Sequence, residues 1–534
     1  LFAVLKVDAR LWGGAVALGC ANLRAPASLG KLFGGFRVCN RLSRIGEQQA
    51  SKGLGDHPFS GESMSRLLLI LCLLAMLPLP VSARLAGPSE VGSQTLGNRD
   101  LPAIRSSGEL RVLVNQSRNS SGSVKGQSIG VEYHRLRAFE QYLNRNARDG
   151  RSLTLKIIPK AKDQLLGALQ RGEGDLVAPG ELLDVRTGHD VSASTAIRRE
   201  VPLVLVSKQG NRHYRNLEQL AGRSLSLPAG SAVGEALHRI NQLLAERKLP
   251  PIVVEWVDPS LAVEDVLEMV QAGIFERTAV ELPIAERWAK VMPKLRVDRH
   301  LVLARDGDMK WFVRPDAPML RASIDRFFSS YQAPADQDAT FQRVYRRLYK
   351  VHSPLGRAER QRLEKVRPVL QQHAEQQGFD WLMLAALAFK ESTLNPSARG
   401  ASGATGLMQI TPAAARSVGV SNIQNINGNV QASSKYLAMI RRNFFNSPQL
   451  NERERMAFVL AGYNLGPQRV QSLRAEARRR GLNPNQWFFQ VERVAMEQMG
   501  MGVVSYVNAV NKYYLAYDRE RYLLEQQGRR LTAN

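Results

Sequence analysis

The sequence predicts an α/β domain followed by a mostly helical one. Three observations predict it. Apolar runs of strand length alternate with helical patterns between Leu110 and Leu282. Such runs stop after about Asp316. From Pro368 onward the chain reads as helices punctuated by Gly, Pro and Asn. The 534 residues leave room for two to four domains at roughly 100–200 residues each. With 44% apolar and 23% charged residues the composition is that of an ordinary globular chain.

Taken in order, Leu110–Val114 is a strand, Tyr133–Leu143 a helix, and Leu153–Ile158 a strand. A helix over Gln164–Leu169 leads through Gly-Glu-Gly to a strand at Asp175–Ala178. Strands follow at Val201–Val206, Ser224–Leu227, Ile252–Val257 and Thr278–Leu282, with helices after Ser231 and over Val263–Ala272. Alternation of this kind predicts a largely parallel sheet. The expected α/β domain covers residues 105–333 and the helical domain 366–515. A polar linker, 334–365, joins them, and 516–534 form a tail.

The first 104 residues carry processing signals. Met64-Ser-Arg66 precedes an apolar run from Leu67 to Leu79, then Val81-Ser82-Ala83. A basic start, a short apolar centre and a small-x-small end make a secretory signal peptide over 64–83. The run falls short of the about 20 residues that a membrane-spanning helix needs. Residues 1–63 lie upstream of it and are expected to be translated sequence foreign to the natural protein; 84–104 form a lead-in. Cys72 follows Leu71, where lipidation requires a small residue. Cys20, Cys39 and Cys72 all precede the expected cleavage point, so no disulfide, thiol chemistry or cysteine metal site is expected beyond it. The net charge of +25 suits an anionic partner such as the cell wall or a membrane face. No zinc finger, RNA-recognition signature or basic helix points to nucleic acid.

Chemistry concentrates in the helical domain. Asp380 is placed to cap a helix ending at Glu391. Ala388, Leu387 and Leu384 lie three, four and seven positions before Glu391, on the same helix face. Burial on that apolar stripe, at the negative end of the helix dipole, would keep the carboxyl protonated, as a general acid requires. A frayed last turn would instead leave it in water. Gly400, Gly403 and Gly406 punctuate the following loop, which ends in Leu407-Met408-Gln409-Ile-Thr411-Pro412. Thr411 and Pro412 start another helix. A later apolar helix, Met456–Tyr463, stops at Asn464, Gly466 and Pro467.

Glu391-Ser392, Gly406-Leu-Met-Gln409, Ala461-Gly-Tyr463-Asn464 and the late Tyr506 occur in the order of the soluble-lytic-transglycosylase family, which this region resembles. The resemblance implies a goose-lysozyme type of fold and cleavage of peptidoglycan glycan strands. Glu391 would protonate the oxygen between N-acetylmuramic acid and N-acetylglucosamine. It would then act as base on the muramic C6 hydroxyl, giving a 1,6-anhydro end. Ser392 and Tyr463 are expected to orient the Glu391 carboxyl. Gln409 and Asn464 suit N-acetyl and hydroxyl groups, Met408 a sugar face, and Tyr506 the wall beside Glu391. Ordinary glycosidases use two carboxylates. Asp380, ~16 Å away along the helix, is too far to be the second. A lysozyme-type hydrolase on the same fold is the nearest alternative, and a wall-binding protein without activity the next. No metal or cofactor is expected.

The α/β half resembles the family 3 periplasmic solute-binding proteins in Phe139, Leu143, Leu166, Leu169 and Gly174-Asp175-Leu176. This implies two lobes around a ligand cleft. Arg186 would hold the carboxylate and Glu281 the amino group of an amino-acid-like or muropeptide ligand. The Ala229-Gly230-Ser231 turn would supply backbone donors. The combination of domains resembles the membrane-bound lytic murein transglycosylase F family. That implies a periplasmic enzyme at the outer membrane of a Gram-negative bacterium, modulated by a ligand of the first domain.

Overall fold

The computed structural model describes residues 99–532, except 119–122, 125, 126, 129, 146, 148, 149, 184, 186, 187, 347, 348 and 351. The upstream segment, the signal peptide and the three cysteines lie outside the described residues, as does Arg186.

Strand β1 (Glu109–Asn115) opens the first lobe and is followed by a short hairpin, β2 (Ser123–Val124) and β3 (Gln127–Ser128). β4 (Thr154–Lys160) and β5 (Leu176–Ala178) flank β1 in parallel. β6 (Ser192–Ala193) lies at the edge of the same sheet. The second lobe holds β7 (Leu203–Lys208), β8 (Ser224–Leu227), β9 (Val253–Trp256), β10 (Arg277–Glu281) and β11 (Leu295–Ala304). The chain then returns to the first lobe through β12 (Phe312–Val313), which pairs antiparallel with β5 and β6.

The expectation of a largely parallel sheet holds for β1, β4 and β5 and for the β8–β9 pair. It fails in the centre of the second lobe, where β10 and β11 both run antiparallel to β7. The two crossovers between lobes explain the direction of β11. One leads into β7 and the other leads out of β11, and they pair as a ribbon: Ile197 N–H donates to Met309 O (2.8 Å) and Met309 N–H to Arg198 O (2.9 Å). A chain that enters and leaves through the same ribbon must reverse direction.

Amphipathic helices cover the sheets. Helix Val233–Glu246 buries Val233, Ala236, Leu237, Ile240 and Leu244, the spacing of one helical face. The segment 334–365 is less of a linker than its polarity suggests. It contains helix Gln337–Tyr345, whose Phe341 and Tyr345 pack with Tyr349 around Trp288 at ring-centroid distances of 4.9–5.3 Å. The helix expected to begin near Pro368 spans Arg357–Gln377, with Pro368 in its interior. The helical domain continues through Trp381–Ser392, Ile426–Phe444, Glu452–Leu465, Pro467–Arg479, Glu492–Met499 and Gly502–Arg519.

A single apolar core runs from the second lobe (Val266, Val270, Trp288) into the helical domain (Leu384, Phe458, Trp487). Buried charges lie across this junction. Arg118, at the end of β1, pairs with Asp265 of the second lobe and with Glu492 of the helical domain (2.9 Å), and lies 4.6 Å from the Phe489 ring. Lys512 bridges Asp265 (2.6 Å) and Glu268 (2.5 Å). Glu264 accepts from the Ser117 hydroxyl (3.2 Å) and the Arg118 N–H (3.1 Å). Burial, with the neighbouring Asp265 charge, pushes the Glu264 carboxyl up to about 7.

A carboxyl raised in this way contributes stability fully present below its unfolded value, near 4.3, and lost as pH rises through 7. Glu264→Gln should therefore flatten the fall of unfolding free energy between pH 5 and pH 8. The gain at pH 8 should be of order 1–3 kcal/mol with little change at pH 5. Urea unfolding at the two pH values checks it.

Candidate active site

Asp380 caps the helix Trp381–Ser392, accepting from Leu382 N–H at 3.0 Å. Tyr514 and Arg521 hold the same carboxylate. Burial opposes its charge, but these donors together keep its pKa below the usual value. Asp380 is thus a structural anion. Eight consecutive residues, Leu382–Phe389, are buried, which fixes the helix in the core and leaves Glu391 in its last turn. Thr393 ends the helix with φ 55° and Leu394 continues at φ 61°. Two non-glycine residues in the left-handed region turn the chain sharply away and leave the last carbonyls behind Glu391.

The Glu391 carboxyl is half-buried and receives the hydroxyl of Tyr506, which is itself 5% exposed on helix Gly502–Arg519. Burial raises the Glu391 pKa; the Tyr506 hydrogen bond and the Lys390 charge pull it down but do not cancel the shift. The last turn is thus packed, with its carboxyl held by Tyr506, and is not frayed.

The remaining predicted residues divide by what they touch. Ser392 and Tyr463 were expected to orient the Glu391 carboxyl, but both turn to backbone carbonyls instead. The Ser392 hydroxyl bonds Leu407 O (2.8 Å) and the Tyr463 hydroxyl bonds Met408 O (2.9 Å). They hold the Gly406–Gln409 loop against the acid's helix. Gln409, at φ 50°, spends its amide N–H groups on Gly406 O (2.9 Å) and Ala398 O (3.1 Å). Met408 is fully buried. Asn464 is exposed and lines a cavity of about 690 Å³ together with Tyr506 and Lys390.

Asn429 went unnoticed in the sequence. It accepts from Met408 N–H (2.9 Å) and donates to Thr405 O (2.8 Å) and Ile423 O (3.2 Å), so one buried amide pins the whole loop. A Cβ at Gly406, whose φ is 76°, would lie 2.4 Å from the Asn429 amide, so only glycine fits there.

With this geometry in view, comparison with known proteins is direct. Residues 368–485 match the Transglycosylase SLT domain family. This part of the helical domain is similar to a transglycosylase SLT domain. Glu391, Ser392, Met408, Gln409, Tyr463 and Asn464 fall within the matched residues, and Tyr506 lies beyond them. Over most of its length the chain is also similar to proteins named membrane-bound lytic murein transglycosylase F. One, from Desulfosudis oleivorans, is 27% identical over 398 residues, covering 72% of this chain and 81% of the relative. Another, from Shewanella pealeana, is 27% identical over 485 residues, covering 86% and 94%. Among solved structures, an amino acid ABC transporter substrate-binding protein from Streptococcus pneumoniae, bound to L-arginine, is 18% identical. It covers 47% of this chain and 100% of its own, with a TM-score of 0.36.

In front of the SLT domain, the cleft between the lobes holds Glu281, which is buried and accepts from Leu182 N–H at 2.9 Å. The Lys162 ammonium, from the first lobe, lies 3.8 Å from Glu281 and 2.8 Å from Glu181. The acid expected to take a ligand's amino group therefore faces an amine of the protein itself. The Ser231 hydroxyl accepts from Val233 N–H (3.3 Å) just before helix Val233–Glu246, whose N-cap is Ala232. A Cβ on neighbouring Gly230 would come within 2.8 Å of Asp163 N, so the lobes touch there. A cavity of about 310 Å³ remains between the lobes, lined by Ser117, Glu132, Glu181, Glu264 and Arg287. Among the described residues no cluster of His, Cys, Asp or Glu is suited to a metal ion, and no helix is long and apolar enough to cross a membrane.

Tyr506→Phe removes the hydrogen bond that favours the ionised Glu391. The Glu391 pKa should rise further, moving the alkaline limb of the pH–rate profile upward, and kcat should fall about 10- to 100-fold. Rates on purified glycan strands across pH 4–9 check both.

Proposed function

We propose that this protein is a lytic transglycosylase that cleaves the β-1,4 bond between N-acetylmuramic acid and N-acetylglucosamine in peptidoglycan. The observation that carries this reading is the Glu391 carboxyl, inside the segment similar to the SLT domain, pushed toward its neutral form by burial and engaged by Tyr506. Protonated Glu391 gives its proton to the glycosidic oxygen, and the C1–O bond breaks as the N-acetylglucosamine hydroxyl leaves. The Glu391 carboxylate then takes the proton of the muramic C6 hydroxyl, whose oxygen closes on C1. The product is a 1,6-anhydro sugar, the acid is restored, and no water is consumed. A tethered hydroxyl supplies the effective concentration that lets one carboxylate suffice. Asn464, exposed at the groove, meets sugar hydroxyl or N-acetyl groups. Ser392, Gln409, Met408 and Tyr463 act by holding the loop that faces Glu391.

The chain is secreted to the periplasm through the segment 64–83 and works at the inner surface of a Gram-negative outer membrane. The first domain, residues 105–333, binds an amino-acid-like or muropeptide ligand between its lobes, with Arg186 as a ligand contact and Glu281 engaged by Lys162 instead, and modulates the second, residues 366–515. Mass spectrometry of digested cell wall tests the activity. Anhydro-muramic ends support it, and reducing muramic ends would mean a lysozyme-type hydrolase.

A further inference from the structure

The cavity beside Tyr506 is walled by more than the SLT domain. Its far side is formed by Tyr349, Lys350 and His352, just before helix Arg357–Gln377, and by Asp265 and Glu268 of the second lobe. The two acids are already neutralised by the buried Lys512 and Arg118. The cations left facing the cavity are Lys350, which is exposed, and Lys390, which is half-buried with its ammonium 5.2 Å from the Tyr506 ring. Among the described residues neither forms an ion pair. Asn508 lines the same cavity. It is 6% exposed, and its Oδ1 is buried without a hydrogen-bond partner. A buried carbonyl oxygen left unpaired destabilises the fold, and a ligand N–H would recover that cost.

An amide N–H and one or more carboxylates, within reach of the group that holds the acid, describe a short acidic peptide. Peptidoglycan carries such peptides on the lactyl group of muramic acid. We propose that Lys350, Lys390 and Asn508 form a subsite for the stem peptide, which makes the enzyme select peptide-bearing strands over bare glycan. This rests on the lytic activity proposed above. The segment between the domains then contributes directly to substrate recognition.

The test uses the full chain and two substrates: intact strands, and strands stripped of peptide by an amidase that cuts the lactyl–alanine bond. Wild type is expected to cut intact strands with a KM about tenfold lower. The Lys350→Ala variant should lose much of that preference, with KM on intact strands rising about threefold to tenfold, kcat changing less than about threefold, and stripped strands affected far less. In wild type the preference should shrink with added salt. Lys350 is exposed, and a melting temperature close to wild type confirms folding. Asn508→Ala should lower the preference without the salt dependence. Equal losses on both substrates, or no preference in wild type, overturn the subsite while leaving the lytic activity intact. Absence of anhydro products from either substrate removes the activity and the subsite together.

Discussion

Glu391→Gln should lower the rate of anhydro-end formation by about three orders of magnitude or more. General acid–base catalysis by one positioned side chain contributes about 10²–10⁴-fold. Here the same carboxyl serves both halves of the reaction, and no second acid stands in for it, since Asp380 is held as an anion by Arg521, Tyr514 and Leu382 N–H. The amide has nearly the same shape and still accepts from the Tyr506 hydroxyl. Stability should therefore change by less than about 1 kcal/mol. Its sign depends on pH. The Glu391 pKa is raised, so its contribution to stability is present below the ordinary carboxylate value and lost as pH rises through the folded one. The variant should be relatively more stable at alkaline pH. Chromatography of muropeptides and thermal unfolding, run on the same preparations, separate loss of chemistry from loss of fold.

Arg118→Ala should cost about 3–5 kcal/mol of folding stability, the effect of removing one partner from a buried ion pair. Arg118 is 3% exposed and touches three parts of the molecule: Ser260 O and Asp265 in the second lobe, Glu492 in the helical domain, and its own first lobe through the chain. Without it Glu492 loses its ion-pair partner, and Lys512 alone faces Asp265 and Glu268. Replacing the pair together, as Arg118→Met with Glu492→Leu, should recover much of the loss, because two desolvated charges are removed at once. Urea unfolding followed by tryptophan fluorescence measures both. A loss below about 1 kcal/mol for Arg118→Ala would mean that the junction is wet and the charges solvated.

Much of this architecture was legible in the sequence because it rests on local rules. Ser224–Leu227 and Val263–Ala272 fold with the expected bounds, one a short apolar run and the other an amphipathic face. Asp380 and Thr411 cap the helices that their side chains announce. Strand direction was not legible, since β11 owes its antiparallel pairing to the ribbon that joins the lobes. β11 itself was hidden. Its sequence, LRVDRHLVLA, breaks the alternation expected of a strand, and its register with β7 shifts between Asp298 and Val302. At the site, motif order placed Glu391 and Tyr506 in one groove. Which polar atom each neighbour would seek was beyond reach. Ser392, Tyr463 and Gln409 all found backbone carbonyls in and beside the Gly406 loop, because the carbonyls of a turn away from water need donors. Asn429 had no motif to mark it, and only a polar residue on the buried face of helix Ile426–Phe444 hinted at its task.

Digestion of glycan strands in water enriched in ¹⁸O tests the central claim most directly. Attack by the muramic C6 hydroxyl, with Glu391 shuttling the only proton required, predicts products that carry no label and weigh one water less than hydrolysis products. Incorporation of one ¹⁸O at C1 of each new muramic end would contradict it.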